Sequence, residues 1–329
     1  MKSARLGVVG ALAAAAMFLA ACGNSAGSGA GAQSSASRTY RIGITQIVSH
    51  PSLDASREGF KKALADAGLK VDYDEQNAQG DQATATSIAT KFAADKEDLV
   101  LAIATPTSQA AAQAITDTPI LFTAVTDPVS AQLVKSLDAP GGNVTGTTDL
   151  NPVAKQIGLV KQLKPQAKTV GIIYSSGEVN STVQVKLARE AAAKEGLTVK
   201  EAAVSNSSEV QQGAQSLAGV DAIYVPTDNV VVSALESVIQ VGESQKIPVI
   251  AGEGDSVQRG TVATYGIDYS KLGYQTGQMA VKILTTGAKP ATMPVESQSD
   301  VQLIINKTAA GRMGVTIPDD LAAQAAQTY

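Results

Sequence analysis

Four carboxylates, Asp228, Glu253, Asp255 and Asp268, each stand just past a short apolar run, where a buried strand would end and its next residues would face a ligand. Enclosing an ammonium group without a countercharge costs several kcal/mol, so a cleft that captures an amine needs at least one of them. Singly, each is as simply a helix cap, a hinge residue or a solvent-facing charge. A second kind of site is offered by Thr107 and Ser108, which follow Thr105-Pro106 at an expected strand-to-helix junction. Free backbone N–H groups and the positive end of the helix dipole would accept a carboxylate there without a cationic side chain. The same hydroxyls could equally cap their own helix. Polar residues also close the other apolar runs: Thr45, Gln46 and His50; Thr126 and Asp127; Glu178, Asn180 and Ser181; Thr227 and Asn229.

Catalysis is poorly served by this inventory. His50 is the one histidine and Cys22 the one cysteine, which removes most metal sites, every disulfide and any Ser-His-Asp arrangement that does not use His50. No G-x-S-x-G, P-loop or dinucleotide glycine pattern occurs. Neither an enzyme nor a cofactor or metal is expected. A net charge of −4 with no basic run argues against nucleic acid as a partner.

The elements that must hold these residues repeat. Strands at 41–47, 70–73, 98–104 and 121–125 alternate with helices at 53–67, 81–94 and 107–115. A second series follows, with strands at 169–174, 197–203, 222–225 and 248–251 and helices at 182–195, 208–217 and 230–241. Gly68-Leu69 and Gly196-Leu197, like Pro119 and Pro248, lie about 130 residues apart, a domain-sized interval. Such alternation implies parallel sheets with helices on both faces, and 329 residues are long for one core, so two α/β domains facing a shared cleft are expected. Ligands of open α/β sheets sit outside the carboxyl ends of the strands, where the polar residues above are found.

The N-terminus has its own logic. Lys2 and Arg5 precede an apolar run, Leu6 to Ala20, too short to span a bilayer and shaped like a secretory h-region. Leu19-Ala20-Ala21-Cys22-Gly23 resembles the lipobox of bacterial lipoproteins, which implies a signal peptide over 1–21 and a lipid-modified Cys22. The Gly, Ala, Ser, Asn and Gln residues from Gly23 to Ser37 bury too little to fold, so 22–37 reads as anchor and tether.

Blocks spread over the rest of the chain carry a wider resemblance: Ile42-Gly43-Ile44-Thr45-Gln46 through His50-Pro51-Ser52-Leu53-Asp54, Thr123-Ala124-Val125-Thr126-Asp127-Pro128, Gly141-Gly142-Asn143, Glu178-Val179-Asn180-Ser181, Val225-Pro226-Thr227-Asp228-Asn229, Gly252-Glu253-Gly254-Asp255 and Tyr265-Gly266-Ile267-Asp268-Tyr269. In order and number they resemble the bacterial ABC-transporter substrate-binding lipoproteins, in particular the family of the tryptophan and tyrosine uptake binding proteins. The resemblance implies a type I periplasmic-binding-protein fold, with domain I at 38–145 and 267–292 and domain II at 146–266 and 293–329. Hinge segments would lie at 141–150 and 265–269. It implies further an extracytoplasmic monomer, lipid-anchored to the bacterial cell membrane, that captures an aromatic amino acid by hinge closure and hands it to an ABC permease and its ATPase. The ligand carboxylate would then meet Thr107 and Ser108, and its ammonium Asp228 with help from Glu253 or Asp268. With no tryptophan in the chain, stacking would fall to Tyr174, Tyr224, Tyr265, Tyr269 or Phe122. Ser175, where the family pattern leads one to expect asparagine, and the small Gly177 depart from it. The alternatives are a same-fold receptor for a nucleoside, purine or sugar, and a surface sensor or adhesin not coupled to transport.

Overall fold

The structure, a computed structural model, describes residues 38–329. The expected signal peptide, Cys22 and tether lie outside the described residues. Apolar content decides where each strand sits. Leu99–Ile103 (β3) is apolar and buried at every position and takes a central place, whereas Lys70–Asn77 (β2), with its charged residues, forms an edge. With Thr39–Gln46 (β1), Ile120–Thr123 (β4), Val144–Thr148 (β5) and, late in the chain, Glu296–Ser297 (β11), they build a six-stranded parallel sheet in the order β11-β5-β4-β3-β1-β2.

A second sheet is built of Thr169–Ser175 (β6), Thr198–Val204 (β7), Ala222–Val225 (β8), Val249–Ala251 (β9), Ala263–Gly266 (β10), Gln302–Ile305 (β12) and Gln327–Thr328 (β13). Their order is β13-β12-β10-β9-β8-β6-β7. It is parallel except where β10 meets β12, a departure from the all-parallel expectation. The chain re-enters this sheet from the other lobe, and β12 arrives without a crossover helix to turn it parallel.

Each sheet with its helices forms a lobe around its own apolar core. The chain passes between lobes three times, after β5, after β10 and after β11. The strand Val144–Thr148 stays whole in the first sheet and Glu296–Ser297 pairs with it, so the sheets change over a few residues later than the breaks expected after 145 and 292. Side chains tie the crossings together: Asn151 Oδ1 accepts the Ile267 N–H at 3.1 Å, and Gln298 donates to the Asp268 carbonyl at 3.1 Å.

The helix Tyr269–Thr286 leaves the second sheet and packs on the first core, lying along Pro51–Asp66. Glycines permit the close approach. A Cβ on Gly273 would stand 1.9 Å from the Ser56 carbonyl oxygen, and one on Gly59 would stand 2.1 Å from that of Ser270. The N-terminus of Pro51–Asp66 carries His50 and Ser52, so this packing sets one wall of the cleft.

Candidate ligand-binding site

A small cavity, of about 20 Å³, lies between the lobes. The first lobe and its crossings contribute His50, Leu53, Ala124, Thr126, Asp149 and Tyr269; the second contributes Asn180, Thr227, Asp228, Asn229, Val232 and Glu253. Most stand where a strand or its loop ends at a helix, as the strand-end rule requires. Ala124, just past β4, holds φ at +56°, and a small side chain there leaves room for a ligand beside strained backbone.

Val232 and Asn229 come from a broken helix. The sequence pattern predicts one helix over 230–241, but the structure has Asn229–Ser233 and Leu235–Gln245, with Ala234 at φ −120°. Arg259 donates to the Val232 carbonyl at 2.8 Å and forks onto Glu236 at 2.9 Å through Nε and Nη2, satisfying a carbonyl that a continuous helix would have used.

Of the residues expected at the site, His50, Thr126, Asn180, Thr227, Asp228, Asn229 and Glu253 come together at the cavity. The others take different work. Thr107 and Ser108 are fully buried and turn back onto the carbonyls of Ile103 and Ala104, at 2.6 and 2.7 Å. Gln46 braces the 47–50 loop by donating to the Val48 carbonyl and to Asp54, each at 2.8 Å. Asp127 organises its own turn by accepting the N–H groups of Val129 and Ser130. Asp268 caps the helix Tyr269–Thr286 and lies outside the cavity lining. Ser181 and Glu178 form a layer behind the lining, and Thr45 and Thr105 are buried away from it. Of the aromatic candidates, Tyr269 alone lines the cavity. Tyr224 is buried against Gln156, Phe122 belongs to the first core, and Tyr174 and Tyr265 are half-buried against the second.

Asp228 is a helix cap as much as a site residue. Its oxygens accept the Val231 N–H at 2.8 Å and the Ser175 N–H and Ser181 hydroxyl at 2.6 Å each. Glu253 likewise caps Gly254–Arg259, and across the cleft it accepts the Ser52 hydroxyl at 2.6 Å. Asp149, which sequence reasoning missed, accepts from two side-chain hydroxyls, Tyr269 at 2.7 Å and Thr126 at 3.0 Å, and feels its own backbone N–H. Its signal is a carboxylate straight after the strand Val144–Thr148, within the expected hinge segment 141–150.

Burial governs the charges. It pushes the Asp149 and Asp228 carboxyls up, against the hydrogen bonds each accepts. Glu178, buried first and then facing the Asp228 charge, is raised to about 7. His50 is held down at about 4 by burial and then by the Arg259 charge, so its imidazole is neutral at pH 7. The cavity thus presents Asp149, Asp228 and Glu253 with no lysine or arginine in its lining. Three buried polar atoms of the lining, His50 Nδ1, Asn180 Oδ1 and Thr227 Oγ1, meet no hydrogen-bond partner. Such atoms are rare in folded proteins, and here they converge where a ligand would satisfy them.

Elsewhere among the described residues, Asp74, Asp95 and Glu97 lie close enough to share a cation. Lys91 pairs with Asp74 and Asp95, and Arg41 with Glu97, so these charges are already answered. No described helix is long and apolar enough to cross a membrane.

Comparison with known proteins agrees with this architecture. The chain is 49% identical over 271 residues to a tyrosine-binding protein of Clostridioides difficile, covering 81% of this chain and 78% of that one. It superposes with a TM-score of 0.86 on an ABC domain from Streptococcus pneumonia in complex with L-Trp, at 41% identity over 89% of this chain and 100% of that one. On the ligand-free, open structure of a substrate binding protein with adhesive properties from Clostridium difficile the TM-score is 0.66, at 48% identity over 88% of this chain and 98% of that one. The family model described as ABC transporter substrate binding protein matches residues 41–329. Two lobes of mainly parallel strands joined by three crossings, facing a small acidic cavity and matched over nearly the whole folded chain, place this protein in the ABC transporter substrate-binding protein family.

Proposed function

We propose that the protein captures an amino acid with an aromatic side chain outside the cytoplasm and delivers it to an ABC permease driven by a separate ATPase. The observation that carries this is the charge of the cavity: three buried carboxylates and no cationic side chain in the lining, an arrangement that calls for a ligand ammonium group. Asp149 is the carboxylate with most acceptor capacity to spare, since its side-chain donors are two hydroxyls, whereas Asp228 and Glu253 are engaged as helix caps. The ammonium is therefore assigned to Asp149 in place of Asp228. His50, Asn180 and Thr227, each with an unpartnered atom, take the ligand's other polar groups. Leu53, Ala124, Val232 and the ring of Tyr269 face its side chain. The tyrosine- and L-Trp-binding relatives support this choice of ligand class.

The test is a thermal-shift panel of the folded body, 38–329, against the standard amino acids, their deaminated analogues, nucleosides and sugars. Ligand at one hundred times its dissociation constant stabilises by about 2.7 kcal/mol. A response to L-tyrosine, L-tryptophan or L-phenylalanine that disappears with the deaminated analogue is expected. A response only to nucleosides or sugars would overturn the amine assignment. Silence throughout would favour a surface sensor or adhesin role, which the adhesive properties of the Clostridium difficile relative suggest. Anchoring through a lipid on Cys22, and action as a monomer, belong to the same proposal, and radiolabelled fatty acid incorporation that survives in a Cys22→Ala variant would refute the anchor.

A further inference from the structure

Across the cleft, on the second lobe, Glu253 Oε2 and Asp255 Oδ2 stand 2.6 and 2.7 Å from the hydroxyl oxygen of one residue of the first lobe, Ser52. Oxygen–oxygen contacts this short each require a hydrogen between them, and a serine hydroxyl supplies one. The second must sit on a carboxyl group. Glu253 offers no room for it: its oxygens receive the N–H groups of Asp255 and Ser256 and the Ser256 hydroxyl as well as Ser52. Among the described residues Asp255 has no donor to its carboxyl but Ser52. The arrangement that balances is Asp255 O–H to Ser52 Oγ, and Ser52 O–H to Glu253.

We propose that Ser52, Glu253 and Asp255 form an interlobe latch that carries one proton in the closed state, so that closure over a ligand takes a proton from solution onto Asp255. In an open cleft Ser52 is withdrawn, and Asp255 returns to water as an ordinary ionised carboxylate. The surroundings favour the proton when closed. Burial raises the Asp255 pKa first, the Glu253 charge second and Asp268 more weakly, against Ser52 and His50, which pull it down. Tyr269 and the Tyr329 phenol also feel the Asp255 charge and are themselves pushed up. Arg259, on the same helix, is turned away to Glu236 and the Val232 carbonyl. Ser52 and Asp255 are outside the cavity lining, so they act as positioning residues that set affinity through closure. The latch rests on hinge closure but not on which ligand closes it.

The experiment is calorimetric titration of the folded body with L-tyrosine and with L-tryptophan between pH 5 and 8, in buffers of different ionisation enthalpy. The wild type should take up as much as one proton more per ligand than Asp255→Asn, whose amide can donate permanently to Ser52. Wild-type affinity should then fall about tenfold per pH unit above the latch's titration, the slope of one linked proton. D255N should be flatter, and Ser52→Ala should bind more weakly and lose the proton. Equal proton uptake in wild type and D255N would overturn the latch. If neither amino acid gives heat, the ligand assignment fails instead, and the latch is read by solution scattering of the ligand-free protein. There the wild type should contract between pH 8 and pH 5 while D255N does not change, and a wild-type radius independent of pH would refute it.

Discussion

Replacing Asp149 by asparagine should separate binding from folding more sharply than any other change in this protein. The side chain keeps its size, and the amide oxygen can still accept the hydroxyl of Tyr269 or Thr126, now 2.7 and 3.0 Å from the carboxylate. What is lost is a buried negative charge that no cationic side chain offsets, and that burial already pushes toward its neutral form. Without ligand, D149N should therefore be as stable as the wild type or more stable, because the charge was a cost. With ligand the sign reverses. Removing one member of a buried, hydrogen-bonded charge pair costs about 2–5 kcal/mol, so affinity should fall by about 30-fold or more. Asp228→Asn is the control. It removes an acceptor that caps Asn229–Ser233 and holds the Ser175 N–H, so it should lower the ligand-free melting temperature, with a cap alone worth about 1 kcal/mol. Thermal melts with and without L-tyrosine or L-tryptophan, paired with calorimetry, read both quantities. A D149N protein that binds as tightly as the wild type would refute the ammonium assignment. One that binds weakly but is also destabilised without ligand would show that Asp149 is structural.

Thr227→Val removes a buried hydroxyl with no partner in the ligand-free chain, so it should leave stability intact and weaken binding; a loss of stability in chemical denaturation would contradict that reading. Gly273→Ala puts a methyl group 1.9 Å from the Ser56 carbonyl and should destabilise the first lobe by about 1–3 kcal/mol or more, seen as an earlier urea midpoint. The pH dependence of stability has two opposed contributions. His50, held down at about 4, makes the unfolded chain bind a proton first, so its share of stability falls as pH drops from 6.5 toward 4. Glu178, raised to about 7, holds a proton in the folded state, so its share is present below 4.5 and lost as pH rises through 7. Glu178→Gln, whose carbonyl can still accept from Asn180 and Asn229, should leave the His50 contribution exposed. Its stability should drop more steeply than the wild type's between pH 6.5 and 4, and parallel curves would refute the assignment.

The alternation of apolar strands and helices, the duplication at about 130 residues and the polar strand ends were all legible in the sequence, because burial on both faces of a parallel sheet demands continuous apolar runs and stops them where a ligand or solvent begins. Seven of the cavity residues, among them His50, Thr227 and Glu253, followed from that rule alone. The roles of the carboxylates did not. Asp228, Glu253 and Asp149 look alike as letters, and what separates a helix cap from a free acceptor is how many donors the fold brings to each oxygen, a count that exists only once the elements are packed. Thr107 and Ser108 stand outside the cavity lining for a related reason: their hydroxyls have carbonyls of β3 and its following residue within reach, and a local bond is available before any ligand. The broken helix at Ala234 depends on Arg259, twenty-five residues downstream, and the antiparallel β12 depends on a third passage between lobes; no local pattern encodes either. Periodicity fixed what each segment is, and tertiary structure alone decided which oxygen faces the cavity, because hydrogen bonds and burial are relations between segments far apart in the chain.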